Sequence, residues 1–131
     1  MGHYETVLTE YHYLVDKGCK PIGFVYLFGD NINEDMLSRV AAESRENSIF
    51  FRVKALKGEM VGFARNQTML NLFKQFHELQ EYANIPSDKT DRQAFFSTIE
   101  GLFLGYGVDE IHRFVTEKVY GERVYDSSVK R

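Results

Sequence analysis

SIFFRVKALKGEMVGFARNQTMLNLFKQFHELQEY, residues 48–82, decides the fold. Its first half holds two runs, Ser48–Leu56 and Met60–Arg65, on either side of Lys57-Gly58. Runs rich in Phe, Val and Ile around a glycine turn predict a β-hairpin. The period then changes, because Met69, Leu72, Phe73, Phe76 and Leu79 recur at helical spacing. The joint is Arg65-Asn66-Gln67-Thr68, with Thr68 or Asn66 as the N-cap of a helix running to Ala83. An arginine, two amides and a hydroxyl thus stand beside helix N–H groups that lack intrahelical partners, a setting that favours anions.

The hairpin can be registered by counting. With Lys57-Gly58 as a two-residue loop, Phe50 opposes Arg65, Arg52 opposes Phe63 and Lys54 opposes Val61. Side chains alternate along a strand, so all of these share one face. The other face carries Ile49, Phe51, Val53, Ala55, Met60, Gly62 and Ala64, which suits a core. The loop is the weak point: Lys57 would need positive φ in a type I′ turn, where Asn or Asp is preferred. A loop longer by one residue would invert the faces of one strand.

Upstream, the apolar spacing predicts a helix over 4–17, closed by Gly18, and then a central strand Ile22–Phe28 that is apolar on both faces. Asn31 or Asn33 caps a helix through Asn47 whose inner stripe is Met36, Leu37, Val40 and Ala41, with Asp35 and Arg39 as a solvent-side pair. Strand, helix and strand in succession predict a right-handed crossover with the strands parallel. Downstream, Asn84–Lys89 is a connector, and Thr90–Phe103 is a helix with Phe95, Ile99, Leu102 and Phe103 on its stripe. Gly105-Tyr106-Gly107 stops it, and a last helix holds Val108, Ile111, Val115 and Val119. The expected fold is α+β: a small three-stranded mixed sheet covered by helices, with a helical C-terminal half. It forms a single domain over 1–131, divided into an N-terminal helix (1–18), a strand-helix-hairpin-helix unit (22–84), a helical pair (90–120) and a tail (121–131).

Composition narrows the function classes. A length of 131 residues is about one domain and long enough to bury a core without metal or disulfide staples. The net charge of −3 argues against a general nucleic-acid or anionic-membrane surface. Cys19 is the sole cysteine, which fits a reducing cytoplasm, and neither a signal-peptide layout nor an apolar run of membrane-spanning length is present. Phe and Tyr are abundant while Trp is absent, and this aromatic surplus predicts a homo-oligomer.

Several chemical signatures fail on inspection. His77-Glu78 lacks the second zinc ligand, since position 81 is Glu. Asn31, Asn33 and Asp35 open like a calcium loop, yet Met36 replaces the required Gly and Ala42 the bidentate Glu. Gly101, Gly105 and Gly107 follow no strand, so they form no dinucleotide fingerprint. Cys19 has no His placed by sequence as its base. With no nucleophile–base pair, metal set or cofactor motif, the chain is expected to be non-enzymatic and to need no cofactor or metal.

What remains is a binding site. Arg52, Lys54 and Arg65 beside Phe50 and Phe63 would offer charge for phosphate and ring faces for a base, with Asn66 and Thr68 at the adjoining helix start and Arg113 as a further cation. A solvated sheet face, or a face docked on a protein partner, accounts for the same residues. The element order also fits an RNA-recognition module, although Lys57-Gly58-Glu59-Met60-Val61-Gly62-Phe63-Ala64 matches its third-strand signature only at the first two positions. In layout, the strand IGFVYLF, the hairpin SIFFRVKALKGEMVGFARN and the helical end IEGLFLGYGVDEIHRFV together resemble small phage-encoded anti-defence sponges that sequester Thoeris and CBASS nucleotide signals. That resemblance implies a non-enzymatic oligomer binding cyclic ADP-ribose isomers or cyclic oligonucleotides between subunits. The expected function is therefore sequestration of a phosphate-bearing nucleotide-like ligand, with a protein-interaction adaptor as the alternative.

Overall fold

Residues 2–82 and 86–121 are described by the computed structural model, 81 and 82 by their backbone alone. The expected tail after Gly121 lies outside them. The chain packs as two compact units, Met1–Phe76 and His77–Arg131. The architecture is α+β, with a three-stranded sheet and a helical C-terminal half.

The first unit opens with α1 (His3–Asp16), which ends as its sequence dictates. Gly18 takes φ 80°; its N–H donates to the Val15 carbonyl (3.0 Å), and the Cys19 N–H donates to that of Leu14 (2.8 Å). This is the αL closure that a residue without Cβ adopts at little cost. β1 (Ile22–Leu27) leads through a 3-10 turn (Gly29–Asn31) to α2 (Glu34–Ala41). Of the two candidate caps, Asn33 is the one used: its side-chain oxygen accepts the Met36 N–H at 2.9 Å. α2 stops short of the expected Asn47. The Ser44 hydroxyl accepts from the Phe50 N–H (3.1 Å) and donates to the Ser48 carbonyl (3.3 Å), a local side-chain alternative to helical bonding that leads into β2 (Ile49–Lys54).

β3 (Glu59–Ala64) is the central strand, giving the order β1-β3-β2. β1 and β2 run in the same direction, as the crossover predicts, but β3 lies between them and is antiparallel to both. Every bonded pair is therefore antiparallel, and the sheet is not mixed. Phe50 faces Phe63, Arg52 faces Val61 and Lys54 faces Glu59, two residues away from the expected register. The turn has moved onto Leu56-Lys57, with the Ala55 N–H donating to the Gly58 carbonyl at 2.9 Å. No described residue other than glycine has positive φ, so the type I′ turn is avoided. Gly58 is needed for a different reason: an added Cβ would collide with the Leu27 carbonyl of β1.

A slip of two preserves the alternation, so Phe50, Arg52, Lys54, Val61 and Phe63 do share a face. That face is not open. Leu8 and Val15 of α1 and Leu37 and Val40 of α2 pack on it in one core with Leu27, Val61 and Phe63. On the opposite face, Phe24 and Phe51 meet Phe73 of α3 (Gln67–Tyr82), with ring centroids 5.1 and 5.5 Å apart.

In the second unit, α4 (Lys89–Phe103) is capped by Asp88, which accepts the Asp91 N–H at 3.0 Å. α5 (Val108–Phe114) follows and continues as a π-helical segment, Val115–Tyr120, whose Tyr120 hydroxyl donates to Asp91 at 2.7 Å. The inner stripe of α4 is Ala94, Phe96 and Gly101, while Phe95 and Leu102, expected inside, are exposed. Small residues set this contact: a Cβ at Gly101 would come within 2.8 Å of the Ile111 side chain. Among the described residues, no helix is long and apolar enough to cross a membrane.

Candidate functional site

The cationic patch read from the hairpin does not stand open as a site. Arg52 is held by two carboxylates at once. Its guanidinium donates to both oxygens of Glu34 (2.7 and 2.8 Å) and to both of Glu59 (2.9 and 2.8 Å). Its charge and its donors are thus already taken up by carboxylates, which leaves little for a phosphate. Hydrogen bonding from Arg52 holds the Glu34 carboxyl below its usual range, and the two glutamates raise the already high pKa of Arg52. Lys54 is exposed but stands opposite Glu59. Phe63 is 0% exposed, and its ring packs edge-on against half-buried Phe50 (5.6 Å) and His12 (4.9 Å). It offers no face for stacking.

The joint before α3 keeps more of the expected character. Asn66 is the cap, its side-chain oxygen accepting the Met69 N–H at 2.9 Å, and Thr68 is exposed in the first turn. The Arg65 backbone N–H donates to the Pro21 carbonyl (3.0 Å), and its guanidinium lies against Gly18, where an added Cβ would sit 3.0 Å from Nη1. Among the described residues no carboxylate pairs with Arg65. Arg113 belongs to the second unit, exposed in the last turn of α5, and is not paired there with Asp109 as its spacing suggests.

The second unit contains a concave site that the sequence reading did not identify. A cavity of about 380 Å³ lies between the end of α4 and α5. That is within the roughly 300–1,000 Å³ typical of small-molecule pockets. α4 contributes Ser97, Glu100 and Gly101, and the α4–α5 connection contributes Leu104 and Tyr106. Glu110, Ile111 and Phe114 of α5 complete the lining. Gly105 makes the bend: at φ 80° it ends α4, its N–H donating to Leu102 (3.1 Å) while the Tyr106 N–H donates to Gly101 (3.0 Å). The chain therefore reverses sharply, and α5 packs onto the glycine face of α4.

Glu100 is the unusual member. It is half-buried, and burial pushes its carboxyl above the usual range. Among the described residues no donor reaches that carboxylate. Its signal in the sequence is a lone acid in the apolar run Ile99-Glu100-Gly101-Leu102-Phe103-Leu104. A solvated helix face explains such an acid equally well, so only the fold of α5 against α4 gives it significance. Among the described residues, no group of three or more His, Cys, Asp or Glu side chains is placed to hold a metal ion. Comparisons with protein-family models, with curated proteins and with solved structures find no match for this chain.

Proposed function

We propose that this chain is a non-enzymatic binding protein that holds a small organic molecule in the cavity between α4 and α5. One observation carries the reading: a pocket of ligand size with an apolar floor of Gly101 and Ile111, ringed by Tyr106 and Phe114 and containing a few polar groups. Such a pocket is the default site for a small molecule. The test is backbone NMR of the full chain during titration with a library of compact aromatic and aliphatic fragments. Perturbations centred on Gly101 and Ile111 are expected, and a Leu104→Trp variant that fills the space is expected to remove them. A library that perturbs no lining residue at millimolar concentration would overturn the proposal.

A second reading is favoured by Arg65. Its guanidinium has no carboxylate partner among the described residues and lies against Gly18, and Gln67 and Thr68 at the start of α3 are exposed. Lys20 is near in sequence to its Pro21 contact, with Nζ 5.6 Å from the Tyr11 ring. On this reading the chain sequesters a cyclic ADP-ribose isomer or cyclic oligonucleotide as a homo-oligomer in the cytoplasm, in the manner of the phage sponges it resembles. Calorimetry with those ligands distinguishes the readings. Heat that disappears in Arg65→Glu supports sequestration, and silence at high micromolar concentration argues against it.

A further inference from the structure

We infer that the molecule held between α4 and α5 carries an ammonium group bound by Glu100, on a compact apolar body packed against Gly101, Ile111 and Phe114. The inference rests on reading this cavity as the binding site. Among the described residues, the lining contains two carboxylates, Glu100 from α4 and Glu110 from α5, and no Lys, Arg or His. Its field therefore favours cations and opposes carboxylate or phosphate ligands. The last turn of α4 adds to this, because the partial negative charge at a helix C-terminus lies next to Glu100.

Glu100 differs from a surface acid in that it is half-buried and lacks a donor among the described residues. A carboxylate withdrawn from water without a donor is costly, and it is relieved by taking up a proton or by gaining a cationic partner. An ammonium group supplies both the charge and the N–H donors, forming a strong charge-assisted bond in partly dry surroundings. Tyr106 and Phe114 also line the cavity, and aromatic rings attract the same charge through their faces. Glu110, which is exposed, and Tyr106 are the other titratable groups among the described lining residues. Ligand charge is thus read mainly by Glu100, and the apolar floor reads ligand shape.

The experiment compares 2-phenylethylammonium with its neutral near-isostere 2-phenylethanol, using NMR titration of the full chain and of Glu100→Gln. In the natural chain the ammonium is expected to bind at least about tenfold more tightly, as a charge-assisted bond warrants. In Glu100→Gln that preference is expected to vanish while alcohol binding persists. Lowering the pH, which protonates Glu100, is expected to erode the preference in the natural chain only. Equal affinity for both probes in the natural chain, or an unchanged preference in Glu100→Gln, would overturn the ammonium inference and leave the cavity reading standing. Failure of both probes to perturb any lining residue would overturn the two together.

Discussion

At the scale of single residues, Arg52 and Gly58 differ in how much they matter to the fold. Arg52 makes several short charge-assisted bonds, yet its side chain is 33% exposed and that of Glu34 is 68% exposed. Ion pairs in that setting contribute little, so Arg52→Ala is expected to cost no more than about 1 kcal/mol in urea unfolding. Gly58 makes no charged contact, but a methyl group there meets the Leu27 backbone carbonyl, which cannot rotate away. Gly58→Ala is expected to cost about 2 kcal/mol or more by the same measurement, because backbone overlap can be relieved only by moving a strand. The sequence makes the glycine visible and suggests the wrong reason for it. A glycine after Lys57 looks like turn chirality, and nothing local announces that a strand thirty-odd positions upstream will pass against it.

At the scale of elements, caps and ion pairs control how the helices are joined to the sheet. The Asn33 cap is legible because an amide precedes an apolar helical stripe, and Asn33→Ala is expected to lower stability by about 1 kcal/mol, read from the urea midpoint. Partners across elements are less legible. Arg39 reads as paired with Asp35 within α2, yet it holds Glu5 of α1 at 2.9 Å. Spacing identifies neighbours along a helix and is silent about the helix packed alongside.

These pairs also set a pH dependence. Hydrogen bonding from Arg39 lowers the pKa of Glu5, and hydrogen bonding from Arg52 lowers that of Glu34, both from an ordinary value of 4.5. Their stabilisation is present above that value and is lost as the pH falls through the lowered, folded-state pKa. Burial raises the carboxyl of Glu100, so its contribution has the opposite sign: the folded state gains on acidification above 4.5 and loses as the pH rises. Urea midpoints followed from neutral to roughly pH 3 are expected to fall at the acid end, and Glu100→Gln is expected to remove the opposing gain that sets in above 4.5.

At the scale of the whole molecule, the central position of β3 makes it the most constrained strand. It is bonded on both sides, and Met60, Val61, Gly62, Phe63 and Ala64 are all buried. Its amides are expected to exchange with deuterium more slowly than those of β1 or β2, which are edge strands. Phe63→Ala, which leaves a hole at a fully buried ring, is expected to cost about 3–5 kcal/mol. The α+β class was legible because the period of hydrophobic residues changes cleanly from strand to helix at residues 64–68. Strand order was not, since counting residues gives the direction of a crossover but not whether a later strand will insert into the gap. The cavity was illegible for a related reason: its walls come from helices whose facing sides are set by Gly101 and the bend at Gly105.

That insertion has a consequence during synthesis. β1 and β2 leave the ribosome before β3, and each takes β3 as its neighbour in the finished sheet. A nascent chain ending before residue 59 therefore carries two aromatic segments whose shared partner does not yet exist. Translation must deliver Glu59–Ala64 before either β1 or β2 can take its neighbour in the finished sheet. A pause in translation just upstream of that stretch would prolong the interval in which both segments are available to pair with other nascent chains.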